Sequence, residues 1–225
     1  MSFRSRWSSW PMAEIISFSP LTIERIADRV QQAVRQGGIV AIPTETYYGL
    51  GVDPFNDVAV EGLARVKGRS DGKPILVLIG SLEQLPLFAQ AVPPVAKILI
   101  EEFWPGSLTI LFPARPSLSH NLTARTGSVG IRLSSCEPLN ALLSRVGPLT
   151  GTSANRADRL PAQTAKMVEQ ELGMDVDVVV DAGTTAGGLP STVIDAQLPI
   201  RVIREGAVTR QKIQDVLQTH GISLV

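Results

Sequence analysis

Gly38-Ile39-Val40-Ala41-Ile42 and Ile75-Leu76-Val77-Leu78-Ile79 are the two stretches that decide the fold class of this 225-residue chain. Both are short, rich in β-branched and aliphatic residues, and apolar at consecutive rather than alternate positions. Strands of this composition are buried on both faces, as in a sheet covered by helices. The two stretches therefore predict central strands of an α/β sheet.

Helical patterns lie around these strands. Ser19-Pro20 begins an amphipathic helix that Gly37-Gly38 ends, and Asp57 is the predicted N-cap of a second helix. Further helices are predicted over 82–91, 94–103, 137–146, 163–173 and 209–219, and further strands over 107–112, 128–133, 148–152, 176–181, 191–195 and 200–204. The strands after 176 have no helix between them, which favours some antiparallel pairing. We predict one α/β (α+β) domain with a mixed parallel and antiparallel sheet.

Composition excludes several classes of protein. The 21 Lys+Arg residues balance 21 Asp+Glu residues, which argues against holding nucleic acid by bulk charge. The single cysteine, Cys136, excludes an internal disulfide framework. No apolar run approaches the ~20 residues of a membrane-spanning helix. We expect a cytoplasmic protein with no membrane contact.

Residues 1–12 stand apart from the predicted domain, 13–225. They are rich in Arg and Ser and contain no acid, a composition compatible with an organellar address. We expect instead a structureless leader, or an upstream start with Met12 as the true beginning. This segment is left out of the fold prediction.

A cluster of cations follows the second predicted helix. Lys67, Arg69 and Lys73 place three positive charges within seven residues, with only Asp71 as an acidic neighbour. Such a cluster repels itself unless it is solvated or matched to an anion. The alternative is a solvated helix end with cations at its C-terminus. We favour the anion site, since only 5 lysines occur among the 21 basic residues.

Polar residues also end several predicted strands. Thr44 and Thr46 follow the first strand, and Ser153 and Asn155 follow the strand at 148–152. The two threonines can share a face and address one ligand, or they can satisfy the local backbone of a turn. Ser153 can equally be the N-cap of the next segment. The carboxyl ends of strands are where α/β sheets usually place their sites, and both interpretations stay open on these residues alone.

Three further segments complete the candidate set. Arg132 and Arg204 lie near the ends of predicted strands, and Ser191 follows the glycine-rich segment 183–188. That segment can wrap a ligand or serve as a mobile connection. The aromatic segment 103–106 is interpreted as a packed turn, since 11 aromatic residues supply a poor stacking surface for single-stranded nucleic acid.

Eight motifs in order resemble the YrdC-like family of threonylcarbamoyl-AMP synthases. They run from about residue 15 to residue 210, so the resemblance covers nearly the whole chain. The motifs are Pro43-Thr44-Glu45-Thr46-x-Tyr48-Gly49-Leu50-Gly51, Lys67-x-Arg69, Lys73-Pro74, Trp104-Pro105-Gly106-x-Leu108-Thr109, Gly130-Ile131-Arg132, Ser153-x-Asn155, Ser191-Thr192-Val193-Ile194-Asp195 and Ile203-Arg204-x-Gly206.

The resemblance implies a twisted mixed sheet around a large concave cavity, in a short form with only the synthase domain. It implies a nucleotidyltransferase that makes threonylcarbamoyl-adenylate and pyrophosphate from L-threonine, bicarbonate and ATP, with Mg²⁺. A separate tRNA-modifying transferase complex then uses that product. The alternative is a YrdC-like module that binds double-stranded RNA without synthase activity.

The resemblance also assigns roles to single residues. Thr46, Arg132 and Ser191 would bind L-threonine, with Thr44 a weaker candidate. The catalytic set would be Lys67, Arg69, Ser153 and Asn155, and the nucleotide would meet Arg69, Lys73, Ser153, Asn155 and Arg204. No protein metal ligand is implied. Three departures from the family pattern are Leu78, Tyr47 and the segment 156–158.

Overall fold

The computed structural model describes residues 13–68, 75–157 and 159–225. Its strands are β1 (Glu14–Ser17), β2 (Val40–Pro43), β3 (Tyr48–Gly51), β4 (Leu76–Ile79), β5 (Leu108–Pro113), β6 (Ser128–Leu133), β7 (Leu149–Ser153), β8 (Val178–Asp181), β9 (Thr192–Asp195) and β10 (Arg201–Arg204). Its α-helices are α1 (Ile23–Arg35), α2 (Asp57–Val66), α3 (Pro94–Phe103), α4 (His120–Thr123), α5 (Glu137–Val146), α6 (Ala165–Leu172) and α7 (Arg210–Gln218). Short 3-10 helices cover Pro20–Thr22 and Leu82–Leu87.

The strands form one mixed sheet in the order β1-β8-β2-β3-β7-β4-β6-β5-β9-β10. The pairs β1–β8, β8–β2, β4–β6 and β5–β9 are parallel, and the remaining neighbours are antiparallel. The predicted fold class, one domain with a mixed sheet and packed helices, is confirmed. Although β8 and β9 are consecutive in the chain, they lie near opposite ends of the sheet.

Helices cover the two faces of the sheet unequally. One face packs on α1 and α5, where Ile26, Val30 and Leu142 contact apolar residues of β2 and β8. The other face packs on α2, α3, α4, α6 and α7 in a larger core. α5 also reaches β4, and Leu78 of β4 and Leu149 of β7 belong to this smaller core. Only the rest of this face, where a cavity lies, is uncovered by α1 and α5, and we call it the open face.

Alternation along the strands separates this core from the open face. On β6, Val129 and Ile131 lie in the larger core, whereas Gly130 and Arg132 line a cavity on the open face. The same period of two places Val77 in the core and Leu78 beside the cavity. The pleat thus puts small and polar residues where the resemblance implies a concave site.

Several sequence predictions differ from the structure in detail. The helix predicted over 82–91 is a 3-10 helix at Leu82–Leu87 that contains Pro86, which lacks the N–H a longer α-helix needs there. Asn56, not Asp57, caps α2 by accepting from the Ala59 N–H at 3.1 Å. Strand β3 was not predicted, since Gly49 and Gly51 weaken the strand pattern.

None of the described helices is long and apolar enough to cross a membrane.

Candidate functional site

The open face holds a cavity of about 540 Å³. Its lining comes from β3 to β7, β9 and β10 and from the loops beside them: Thr44, Thr46, Tyr47, Tyr48, Gly49, Leu76, Leu78, Thr109, Leu111, Gly130, Arg132, Gly151, Thr152, Ser153, Pro161, Pro190, Ser191, Val193, Ile203 and Arg204. Small-molecule sites are concave, mostly apolar and furnished with a few polar groups, within roughly 300–1,000 Å³. This cavity fits that description.

Two guanidinium groups lie in the cavity wall. Arg132 on β6 is 4% exposed, while Arg204 at the end of β10 lies near the surface. Burial lowers the pKa of Arg132 to about 10, and repulsion from Arg204 acts in the same direction. Partial burial also lowers the pKa of Arg204. A bound anion would relieve this repulsion, so the pair is a candidate anion-binding site.

Glu45, in the loop between β2 and β3, forms an ion pair with Arg132. The Ser107 hydroxyl donates to Glu45 Oε1 at 2.7 Å, and the Ser134 hydroxyl donates to Oε2. Arg132 Nε donates to the Gly106 carbonyl at 3.0 Å. Sequence reasoning did not single out Glu45, because its three partners lie 62 to 89 residues away along the chain.

The loop between β2 and β3 assigns different tasks to its threonines. Thr44 Oγ1 donates to the Tyr47 carbonyl at 2.7 Å and accepts from the N–H groups of Thr46 and Tyr47. Thr44 therefore organises the turn, as its alternative reading proposed. Thr46 is 9% exposed and lines the cavity. Its Oγ1 lies 3.1 Å from Thr44 Oγ1, within hydrogen-bond distance. Thr46 is the better ligand candidate of the two.

Lys67, the C-cap of α2, lies against the end of β7. Its ammonium donates to Ser153 O at 2.6 Å, to Asn155 Oδ1 at 2.7 Å and to the Asn155 carbonyl. An ammonium has three N–H donors, so these contacts fix the turn that carries Ser153. Lys67 is 5% exposed, which contradicts the alternative of a solvated helix end for this residue.

Ser153 is therefore not an N-cap. It ends β7, and its hydroxyl donates to Asn155 Oδ1 at 2.6 Å. Asn155 in turn donates through Nδ2 to the carbonyls of Arg156 and Arg159. Ser153 lines the cavity, and Lys67 and Asn155 are joined to the cavity through it.

The segment between β8 and β9 crosses from one end of the sheet to the other. Three contacts hold it to the β2–β3 hairpin: Tyr47 Oη donates to Gly188 O at 2.6 Å, Tyr48 Oη donates to Gly183 O at 2.8 Å, and the Gly187 N–H donates to Thr46 O at 2.7 Å. At its end, Ser191 shares a hydrogen bond of 3.0 Å with Thr109. Arg204 Nη2 donates to Ser191 O at 2.9 Å. The segment thus connects the cavity's two sides.

Most predicted site residues meet in this cavity. Thr46, Arg132, Ser153, Ser191 and Arg204 line it, and Lys67 and Asn155 support Ser153. Arg69 and Lys73 lie outside the described residues. The structure adds Thr109 and Thr152 to the lining, residues that their strand patterns alone did not distinguish from core threonines.

Comparison with known proteins gives the family. A family model named for Sua5, YciO and YrdC, with the description Telomere recombination, matches residues 32–206. The chain belongs to the Sua5/YciO/YrdC family. The resemblance drawn from the eight motifs is thereby confirmed.

Relatives within this family are named as synthases. A putative threonylcarbamoyl-AMP synthase of Mycobacterium tuberculosis (strain ATCC 25618 / H37Rv) is 35% identical over 193 residues, which are 85% of this chain and 89% of the relative. The threonylcarbamoyl-AMP synthase of Bacillus subtilis (strain 168) is 35% identical over 187 residues, 82% of this chain and 54% of the relative.

Solved structures in the family share the fold. Sua5 of P. abyssi complexed with L-threonine has a TM-score of 0.84 and 28% identity, and the match covers 96% of this chain and 63% of that one. YciO of E. coli has a TM-score of 0.80 at 24% identity, covering 90% of this chain and 100% of that one. This chain therefore spans less than two thirds of the P. abyssi protein.

Proposed function

We propose that this protein is an L-threonylcarbamoyl-adenylate synthase, a nucleotidyltransferase that converts L-threonine, bicarbonate and ATP into threonylcarbamoyl-adenylate, pyrophosphate and water. The observation that carries the proposal is a buried guanidinium, Arg132, in a cavity that also presents Arg204 and the hydroxyls of Thr46, Ser153 and Ser191. These groups suit substrates that carry carboxylate, carbamate and phosphate.

The reaction needs two bond-forming steps. The threonine amine attacks the carbon of bicarbonate, which gives a carbamate and water. A carbamate oxygen then attacks the α-phosphorus of ATP, and the bond to pyrophosphate breaks. Negative charge develops on the phosphates in the second step, so fixed cations lower its barrier without a covalent nucleophile.

The cavity residues divide between the two substrates in this proposal. Arg132 binds the carboxylate or carbamate of threonine, with Thr46 and Ser191 as hydroxyl partners. Ser153 and Arg204 bind the nucleotide, Lys67 and Asn155 hold Ser153 in place, and Arg69 and Lys73 supply further positive charge at the phosphates. The assignment of the last two rests on the family motif alone.

Mg²⁺ enters in this proposal with ATP, bound to phosphate oxygens as part of the substrate. The described lining residues present hydroxyl and guanidinium groups, which bind phosphate, rather than the carboxylates that Mg²⁺ prefers in a protein site. The product would pass to a tRNA-modifying transferase complex in the cytoplasm. The relatives' names favour this reading over an RNA-binding module without synthase activity.

The test uses the purified chain with labelled bicarbonate, L-threonine, ATP and Mg²⁺, and chromatography detects threonylcarbamoyl-adenylate. Arg204→Ala should lower kcat/KM about ten- to a hundredfold, the value of one or two charge-assisted hydrogen bonds. Arg201→Ala is the matched control, because Arg201 is an exposed arginine on the same strand and does not line the cavity. Absence of product from the unmodified chain would overturn the proposed function.

A further inference from the structure

The described residues hold the Arg132 guanidinium on one side only. Nε donates to Gly106 O at 3.0 Å, and Nη2 contacts Ser107 Oγ at 3.5 Å and pairs with Glu45. Among the described residues, none accepts a hydrogen bond from Nη1. Since the guanidinium is planar and rigid, fixing Nε and Nη2 also fixes where the two Nη1 protons point.

We propose that Glu45 positions Arg132, so that Nη1 presents its donors to the carboxylate of the amino-acid substrate. The identity of that ligand rests on the proposed function, whereas the positioning rests on the contacts of Glu45 alone. Glu45 is a positioning residue in this proposal, because it acts through Arg132 and does not touch the substrate.

The location of Glu45 suits this task. Its carboxylate links the β2–β3 loop to Ser107 before β5 and to Ser134 after β6, the strand that carries Arg132. The side chain of Arg132 is 5% exposed and that of Glu45 is 18% exposed. A guanidinium stays charged when it is buried, so its burial is costly unless an opposite charge lies nearby, and that charge also holds it in one place. Glu45 provides that charge from a loop that also carries Thr46.

The same contacts argue against other roles for Glu45. Oε1 accepts from Ser107 and Arg132, and Oε2 accepts from Ser134, whose oxygen also accepts from the Cys136 N–H at 3.1 Å. A general base or a metal ligand needs a lone pair directed at its target. Each carboxylate oxygen of Glu45 already accepts from the protein, and these donors occupy three of its about four lone-pair sites.

The first measurement does not depend on the proposed function. In ¹⁵N-arginine-labelled protein, the Nε–H and Nη–H signals of Arg132, assigned with Arg132→Lys, should be resolved and slow to exchange. Glu45→Gln keeps the size and one acceptor but removes the charge, and should abolish this slow exchange. Glu61→Gln, an exposed glutamate on α2, should leave it unchanged. Unchanged Arg132 signals in Glu45→Gln would overturn the proposal.

The second measurement concerns binding, by calorimetry with L-threonine and with ATP. Glu45→Gln should raise the Kd for L-threonine at least tenfold, which is on the order of the value of one charge-assisted hydrogen bond. The Kd for ATP should rise less than twofold. Glu45→Asp retains the charge on a shorter arm and should give an intermediate Kd for L-threonine. This variant replaces Glu45→Gln in both measurements if the latter fails to fold.

The two proposals fail in different ways. An unmodified chain that neither binds L-threonine nor forms product would overturn the proposed function, while the arginine signals would still decide the role of Glu45. An active chain whose threonine Kd is the same in Glu45→Gln would overturn the positioning role. Equal losses for L-threonine and ATP in Glu45→Gln, with a lowered Tm, would also overturn it, since they indicate a merely structural residue.

Discussion

Two threonines on β7 differ in whether their buried hydroxyls are hydrogen-bonded. Thr150 is fully buried, and its hydroxyl accepts from the Val52 N–H at 3.0 Å. Thr152 is 7% exposed and lines the cavity, yet among the described residues its hydroxyl has no hydrogen-bond partner. A buried hydroxyl without a partner costs about 1–3 kcal/mol, a cost that a ligand can remove by supplying the partner. Thr152 is therefore a candidate substrate contact.

Thr152→Val should separate stability from activity. The isosteric change removes the unpaired hydroxyl, so the free energy of unfolding should rise by about 1 kcal/mol while kcat/KM falls about tenfold. Thr150→Val is the matched control and should instead lower the free energy of unfolding by about 1 kcal/mol. Urea unfolding and the synthase assay measure both quantities. A destabilised Thr152→Val would show that the hydroxyl has a protein partner.

At the scale of elements, β7 and β4 meet at a glycine. A Cβ atom at Gly151 would lie 2.7 Å from Cγ and Cδ1 of Leu78, closer than carbon atoms approach in proteins. The two residues lie on antiparallel neighbours and both line the cavity. Close packing of Leu78 on the backbone at Gly151 therefore forms part of the cavity wall.

Gly151→Ala should lower the free energy of unfolding by about 1–3 kcal/mol, the usual cost of overpacking. Gly62→Ala on α2 is the control, since no atom of the described residues lies within 4 Å of a Cβ there. That change should raise the free energy of unfolding by up to about 1 kcal/mol through helix propensity. A Gly151→Ala variant as stable as the unmodified chain would show that Leu78 moves aside freely.

The β2–β3 hairpin and the β8–β9 segment are joined at Tyr48. Its hydroxyl donates to Gly183 O and accepts from the Ala182 N–H at 3.2 Å, and burial raises the pKa of Tyr48 to about 12. A raised folded-state pKa means that the unfolded chain loses this proton first. The stabilisation is therefore complete below about pH 10 and is lost as the pH rises through about 12.

Tyr48→Phe tests this pH dependence. At pH 8 the variant should unfold with a free energy lower by about 1 kcal/mol, because one buried hydrogen bond is missing. At pH 11 the difference from the unmodified chain should shrink, since the unmodified chain has lost part of the Tyr48 contribution. Urea unfolding of both proteins at pH 8 and pH 11 measures this difference in the free energy of unfolding. A difference that is the same at both values would contradict the assignment.

At the scale of the whole molecule, the chain order and the sheet order diverge. Strands β8 and β9 follow one another in the chain but are separated by six strands of the sheet. The connection between them must therefore cross the open face, where it contributes Pro190 and Ser191 to the cavity. The cavity is therefore lined both by this connection and by the strands that it crosses.

Removal of the first eleven residues should leave the fold and the activity unchanged. The Ala13 N–H already donates to Gly173 O at 2.9 Å, and β1 pairs with β8 from Glu14 onward. A chain that starts at Met12 should therefore have the same Tm and kcat/KM as the full chain. A lower Tm, measured by calorimetry, would place residues 1–11 within the cooperative unit.

The local sequence determined the elements and the family of this protein. The boundaries of most predicted strands lie within two residues of the observed ones, because apolar runs such as 40–42 strongly favour the extended backbone of a buried strand. The site was predictable in part: Thr46, Arg132, Ser153, Ser191 and Arg204 were expected to be close to one another, and they line one cavity. Their motif order, rather than any local pattern, carried that expectation.

Only the tertiary structure decided which distant residues meet. No local pattern pairs Glu45 with Arg132 and Ser134, or directs Lys67 at the turn of Ser153. Nor does a local pattern show that the Thr152 hydroxyl has no partner in the described part of the chain. The ion pair and hydrogen bonds among these residues join positions up to 89 residues apart, and they depend on the order of the strands in the sheet. Residue periodicity reports which face of an element is buried, whereas a buried ion pair depends on which other element covers that face.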